Sequence, residues 1–278
     1  MCELLGMSAN VPTDIRFSFA GFARRGGDVG PHADGWGVAF YDGRAARTFH
    51  DPTPCSGSDL ARFLRHCPIR SLNVVAHVRR GNRGRVGLAN THPFVRELWG
   101  RTWVFAHNGQ LRGVKRRELG RFRPVGTTDS EHAFCWLLDQ LAARWSTVPD
   151  GRALDGAIEA LLAELGTLGV CNALLSDGRS LFAHSGRRLA YVTRRSPFGI
   201  ATLLDEDLAV DFSRETGPAD IVTVVATRPL TRDETWTDIP PGRTVILRDG
   251  SPVEPAVRSS RPSRRGTIRS HRAAAAPA

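Results

Sequence analysis

Short apolar runs, most of them bounded by glycine, proline or asparagine–glycine signals, recur along this chain, while apolar spacing of helical period appears only a few times. Leu4, Leu5 and Met7 form the first run, which reads as a buried strand starting beside the N-terminus. Trp36 to Tyr41 is strand-like and closes on Asp42-Gly43, with Arg44 to His50 as its expected hairpin partner. The glycines at 35 and 37 point to close backbone approach there. Ser71 to Gly81 reads as a buried strand whose β-branched centre gives way to charge at Arg79 and Arg80. Trp103 to Leu111 is an aromatic strand running into Asn108-Gly109.

A short helix is expected over Ser58 to Arg65, capped by Ser56 or Ser58. A longer one opens at Thr128, which with Glu131 makes a capping-box pattern. Its Phe134, Leu137, Leu138 and Leu141 form the i, i+3, i+4, i+7 stripe of a face packed on a core. Arg152 to Leu165 repeats the stripe with Leu154, Ile158, Leu161, Leu162 and Leu165. Strand-like segments follow at 170–176, 180–183, 189–193, 221–226 and 244–247, separated by turns such as Asp177-Gly178. Gly21 to Gly30, rich in glycine and arginine, reads as a loop. Strands, then two helices, then more strands predict an α+β protein with helices layered on antiparallel sheets. Arg261 to Ala278 has no apolar periodicity and is expected to be disordered.

The composition suits one large domain or two small ones of a soluble globular protein: 278 residues, 41% hydrophobic and 24% charged. There is no apolar run of membrane-spanning length and no basic and apolar leader, so the expected location is cytoplasmic, without a membrane partner. Five cysteines at irregular spacings argue against a disulfide framework. The gaps between His50, Cys55, His66 and Cys67 match no pair of ligand hairpins, and neither metal nor cofactor is expected. Of the net charge of +10, six units lie in Val257 to Ala278, which holds six arginines and no acid. The remaining 32 basic and 28 acidic residues leave +4, so nucleic acid is not the expected partner.

Five places carry candidate chemistry. Excision of Met1 would make Cys2 the first residue, with a thiol and a free α-amine on one carbon, the amine titrating near 7.7 to 8.0 and so able to take the thiol proton. His107-Asn108-Gly109 is either an ordinary turn or a pair of oxyanion donors. Arg79 is either a solvated strand end or a carboxylate clamp. Asp129, in a first helical turn, is either a dipole partner or an ammonium ligand. His92, held extended before Pro93, reads as a supporting residue.

In their order and spacing Cys2, His77-Val78-Arg79, Asn90-Thr91-His92-Pro93, His107-Asn108-Gly109 and Thr128-Asp129-Ser130-Glu131 resemble the class II glutamine amidotransferases of the N-terminal-nucleophile hydrolase superfamily. The opening Met-Cys-Glu-Leu-Leu-Gly-Met and His32-Ala33-Asp34-Gly35-Trp36-Gly37 are similar to its stand-alone, YafJ-like group. The resemblance implies a four-layer αββα sandwich with two antiparallel sheets between helices, forming a glutamine amidotransferase type 2 domain over 1–255 with a tail at 256–278. It implies hydrolysis of the glutamine side-chain amide to glutamate and ammonia through a γ-glutamyl thioester on Cys2. Cys2 would be the nucleophile, its α-amine the base, and Asn108 with Gly109 the oxyanion hole. Arg79 and Asp129 would hold the substrate α-carboxylate and α-ammonium, with Asn82 and His107 as further substrate contacts and His92 and Trp36 in support. Many members carry Trp-x-Thr where this chain has Arg80-Gly81-Asn82. The alternatives are hydrolysis of another γ-glutamyl amide of thiol-metabolite type, or a non-catalytic glutamine-binding module. Classical members are fused to a synthase that consumes the ammonia; here no residues remain for one, which leaves an unidentified ammonia-accepting protein as a possible partner.

Overall fold

The structure, a computed structural model, describes residues 2–81, 85–214 and 216–253. Asn82 and the 256–278 tail lie outside the described residues. The chain runs β1 (Glu3–Asp14), α1 (Arg16–Arg24), β2 (Trp36–Asp42), β3 (Ala45–Asp51), α2 (Asp59–His66), β4 (Arg70–Val78), β5 (Phe94–Leu98), β6 (Arg101–Leu111), α3 (Asp129–Arg144) and α4 (Gly151–Gly166). It continues through β7 (Gly169–Ser176), β8 (Ser180–Ser185), β9 (Leu189–Arg195), β10 (Ile200–Thr202), β11 (Ala209–Asp211), β12 (Ile221–Ala226), β13 (Thr237–Ile239), β14 (Arg243–Arg248) and β15 (Ser251–Pro252).

Two antiparallel sheets lie face to face. One has the order β13-β9-β12-β1-β4-β2-β3 and the other β15-β14-β8-β7-β6-β5, with β10 and β11 forming a separate small ribbon. The two-residue period of a strand assigns each side chain to a layer. In β1, Leu4 points into the space between the sheets with Val75, Val104, Ala106, Leu174 and Leu181, while Leu5 and Met7 point outward under α1 and α2 with Phe19, Phe22 and Leu64. In β6, Val104 and Ala106 face inward, while Trp103 and Phe105 face Phe134, Leu137 and Leu161 of α3 and α4. Both faces of both sheets are therefore covered. This is why the strands read as apolar runs without alternation, and it makes the architecture the expected αββα sandwich. Gly6 lies where the sheets come closest: a Cβ there would meet Leu181 Cδ2 at 3.0 Å and Leu174 Cδ1 at 3.2 Å. Among the described residues no helix is long and apolar enough to cross a membrane.

Several sequence expectations change. The stretch 21–30, expected to be a loop, begins inside α1, whose Phe19, Phe22 and Ala23 are buried. The helix has no side-chain cap at Ile15 and no acid in its first turn, so its start carries no sequence signal. The β5–β6 hairpin is also unannounced, because its turn places Trp99 (φ +59°) and Gly100 (φ +69°) where asparagine–glycine is the usual signature. At α3 the capping box is half formed. Thr128 Oγ1 accepts from Glu131 N at 3.1 Å, but the Glu131 carboxylate turns to Val125 N (2.9 Å), Gly126 N (2.7 Å) and Arg96 (2.6 Å). Ser58 caps α2 as expected, its Oγ accepting from Ala61 N at 3.3 Å.

Candidate active site

The site lies at one end of the sandwich, where the start of β1 and the end of β4 in one sheet meet the end of β6 in the other. Glu3 pairs with Val78, which brings Cys2 beside Arg79 and Arg80. The first residues of β1 are tied down firmly. Leu4 N donates to Thr227 Oγ1 at 2.8 Å, and buried Glu3 pairs with Arg228 at 3.0 Å and with fully buried Arg25 at 3.4 Å. A carboxylate inside an apolar strand was the sequence signal for this anchor, which the motif reading passed over.

Cys2 Sγ is half-buried between the two backbone polar groups of Arg80, accepting from its N–H at 3.3 Å and lying 3.5 Å from its carbonyl oxygen. Burial raises the thiol's pKa, opposed by the Arg80 N–H and the Arg79 charge, so the sulfur rests as a thiol. Asn108 Nδ2 donates to Cys2 O at 2.5 Å, which leaves its second N–H for another acceptor. At Gly109 a Cβ would lie 1.8 Å from Val170 O, so no other residue fits this approach of β6 to β7. Behind them Asn172 secures the corner. Its Nδ2 donates to Asn108 O at 3.0 Å, and its Oδ1 accepts from Gly186, Arg187 and Arg188 N. The sequence offered no motif for that residue.

Arg79 is buried, donating its N–H to Gly35 O at 2.8 Å and Nη1 to Asp34 O at 3.3 Å. The Asp34 carboxylate in turn accepts from Gly81 N at 2.7 Å. Asp129 is oriented by two backbone donors, Leu111 N at 2.8 Å and Ser130 N at 3.0 Å. A cavity of about 660 Å³ is lined by Cys2, Arg79, Asn108, Gly109 and Asp129 together, and His92 and His107 also reach it.

Of three further expected residues, His92 and His107 line the cavity and one does not. Trp36 does not line the cavity: it is completely buried on the outer face of β2, 5.9 Å from Phe19, because strand parity turns Gly37 rather than Trp36 inward. That inward glycine is required, since a Cβ at 37 would lie 2.4 Å from His92 O. His107 is buried with both ring nitrogens engaged, Nδ1 on Ser130 Oγ at 2.8 Å and Nε2 on Val170 O at 3.2 Å, so it joins β6 to α3 and β7 rather than offering a free donor. His92 stacks on His77 at 4.2 Å between ring centroids. Burial above all, with neighbouring cations in addition, drives His77 down to about 3 and His92 well below the usual histidine range. His50 Nε2 donates to Pro93 O at 2.8 Å.

Two antiparallel sheets between helical layers, with a cysteine at the start of a central strand facing an asparagine–glycine corner, define the N-terminal-nucleophile hydrolase class of fold. The family model for class II glutamine amidotransferases matches residues 1–271, and the chain belongs to that family. YafJ of Escherichia coli K12, a provisionally named glutamine amidotransferase, is 58% identical over 243 residues, covering 87% of this chain and 95% of the relative. A Haemophilus influenzae protein given the same provisional name is 42% identical over 253 residues, 91% of this chain and 86% of its own length. The crystal structure of a predicted glutamine amidotransferase from Pseudomonas aeruginosa superposes with a TM-score of 0.73 at 46% identity, covering 91% of this chain and all of that one. Glutamine phosphoribosylpyrophosphate amidotransferase from Bacillus subtilis shares the fold at 16% identity, with a TM-score of 0.58 over 91% of this chain and 48% of that one.

Proposed function

We propose that the protein is a cysteine amidohydrolase that releases ammonia from the side chain of glutamine, with residues 1–255 as the catalytic unit. The observation that carries this reading is the convergence of Cys2, Arg79, Asn108, Gly109 and Asp129, drawn from both sheets and one helix, on a single cavity. A free amino acid is a zwitterion. A guanidinium and a carboxylate lining the same cleft suit its α-carboxylate and α-ammonium, leaving the γ-amide for the sulfur.

Burial keeps the sulfur protonated, so the chemistry needs a base. Excision of Met1 supplies one in the Cys2 α-amine. The amine takes the thiol proton as sulfur attacks the γ-carbonyl carbon, and the resulting oxyanion is held by the spare N–H of Asn108 and the Gly109 backbone N–H. Collapse breaks the carbon–nitrogen bond, and the ammonium form of the amine returns its proton to the departing ammonia. The same amine then deprotonates a water that attacks the γ-glutamyl thioester, releasing glutamate and restoring the thiol.

Intact mass spectrometry should find the chain without Met1, and a glutamine-mimicking electrophile should add one label to the wild type and none to Cys2→Ala. Glutamate release from glutamine should fall to background in Cys2→Ala. Retention of Met1 in active protein, or activity that survives loss of the sulfur, overturns the mechanism. Glutamine binding without any turnover or labelling makes the domain a binding module instead.

A further inference from the structure

The cavity holds more positive charge than glutamine uses. Glutamine needs one cation and one anion, for which Arg79 and Asp129 suffice. The lining adds Arg80, Arg112 and Lys115, and among the described residues Asp129 is the only acid in it. Arg80 and Arg112 pair with no carboxylate among the described residues, while Lys115 Nζ donates to an uncharged carbonyl, Thr127 O, at 2.5 Å. Arginines elsewhere include matched ones, such as Arg194 with Glu234 and Arg248 with Asp155 within about 3 Å, and unmatched ones; what distinguishes Arg80 and Arg112 is that they line the cavity. The volume is also in excess: about 660 Å³ falls within the roughly 300–1,000 Å³ of clefts that take drug-sized ligands, more than one amino acid fills.

Arg80 fixes where this surplus begins. Its backbone holds Cys2 Sγ, and the residue lines the same cavity as the sulfur. Building on the function proposed above, we infer that the preferred substrate is a γ-glutamyl amide whose amine half carries an anionic group, a carboxylate in the simplest case, gripped by Arg80 with Arg112 and Lys115 further along the cleft. The bond chemistry is unchanged: the γ-carbonyl–nitrogen bond breaks, the leaving nitrogen departs as an amine after taking the proton, and water completes the release of glutamate.

The test compares γ-glutamylglycine with γ-glutamylethylamide and glutamine, reading glutamate release. The two longer amides differ chiefly in a carboxylate on the leaving side. The expected result is a kcat/KM for γ-glutamylglycine about tenfold or more above that for the ethylamide, an advantage that shrinks with added salt and collapses toward one in Arg80→Met/Arg112→Met. Both side chains are exposed, so the variant should fold, which circular dichroism checks. Turnover of glutamine and both amides with no advantage for the carboxylate, or an advantage indifferent to the double substitution, overturns this inference and leaves the amidohydrolase reading standing. Should none of the three be hydrolysed, the amidohydrolase reading falls. Calorimetric titration of Cys2→Ala with the same two amides then decides the inference: tighter binding of γ-glutamylglycine upholds it, and equal or absent binding overturns it.

Discussion

Lowering the pH from 7 to 5 should remove about 2 kcal/mol of folding stability through His77, with His92 acting in the same direction. The two rings are stacked and enclosed, His77 between the sheets and His92 at the floor of the cleft, and each is held neutral chiefly by burial, His77 down to about 3 and His92 well below the usual value. In the unfolded chain each titrates near 6.5. A depressed histidine pKa means that the unfolded state binds more protons below 6.5. The contribution is therefore complete above that pH and is lost as the pH falls toward the folded value. For His77 the slope is about 1.36 kcal/mol per pH unit, so about 1.5 units below 6.5 amounts to roughly 2 kcal/mol, and His92 adds to it in the same direction. Against a typical total of about 5–15 kcal/mol this is a large fraction, and His107 and His184, which are also held low, act in the same direction. Urea unfolding followed by far-UV circular dichroism at pH 7, 6 and 5 gives the slope, and His92→Gln should reduce it by about one proton. An unfolding free energy that stays flat over this range, or ring resonances of the folded protein that titrate near 6.5, would refute the reasoning.

Three further outcomes follow from the packing and the cleft. Asn108→Ala should lower kcat by about 10²–10³, roughly 2.7–4 kcal/mol, while single labelling of Cys2 by the electrophile persists, because the substitution removes the proposed oxyanion donor and leaves the sulfur. Asn172→Leu strips the acceptor from three backbone N–H groups and the donor from Asn108 O, so stability measured in urea should drop by roughly 3 kcal/mol or more and glutamate release should fall with it. Leu174→Ala, fully buried in the layer between the sheets, should cost about 2–5 kcal/mol in the same assay, with KM for glutamine little changed.

Much of the fold was legible because it depends on local pattern. The Trp36–Tyr41 strand with its Asp-Gly turn, the stripe from Phe134 to Leu141 and the Thr128 cap each announce themselves within a dozen residues. α1 did not, because Ile15 provides no cap and Gly21 breaks the expected spacing; that glycine is explained only by Leu203, whose Cδ2 would meet a Cβ there at 3.0 Å. Trp36 shows the limit for a site residue. It stands between glycines in a motif that reads as functional, yet strand parity places it in the core, and parity relative to a cleft is undefined until the neighbouring strands are in register.

Taken alone, the amino-acid order determined which residue types were available: a cysteine able to become the terminus, an arginine at a strand end, an asparagine–glycine pair and an aspartate in a first helical turn. It also determined the apolar runs that require sheets covered on both faces. Tertiary structure alone decided that these four places, spread over more than a hundred residues, share one cavity, that Glu3 with Arg25 and Arg228 anchors the strand that follows Cys2, and that His77 and His92 lie enclosed together. The physical reason is that strand pairing acts across long sequence separations: Cys2 lies next to Arg80 and Asn108 because β1 joins β4 and the two sheets stack, and no local signal in the chain encodes that register.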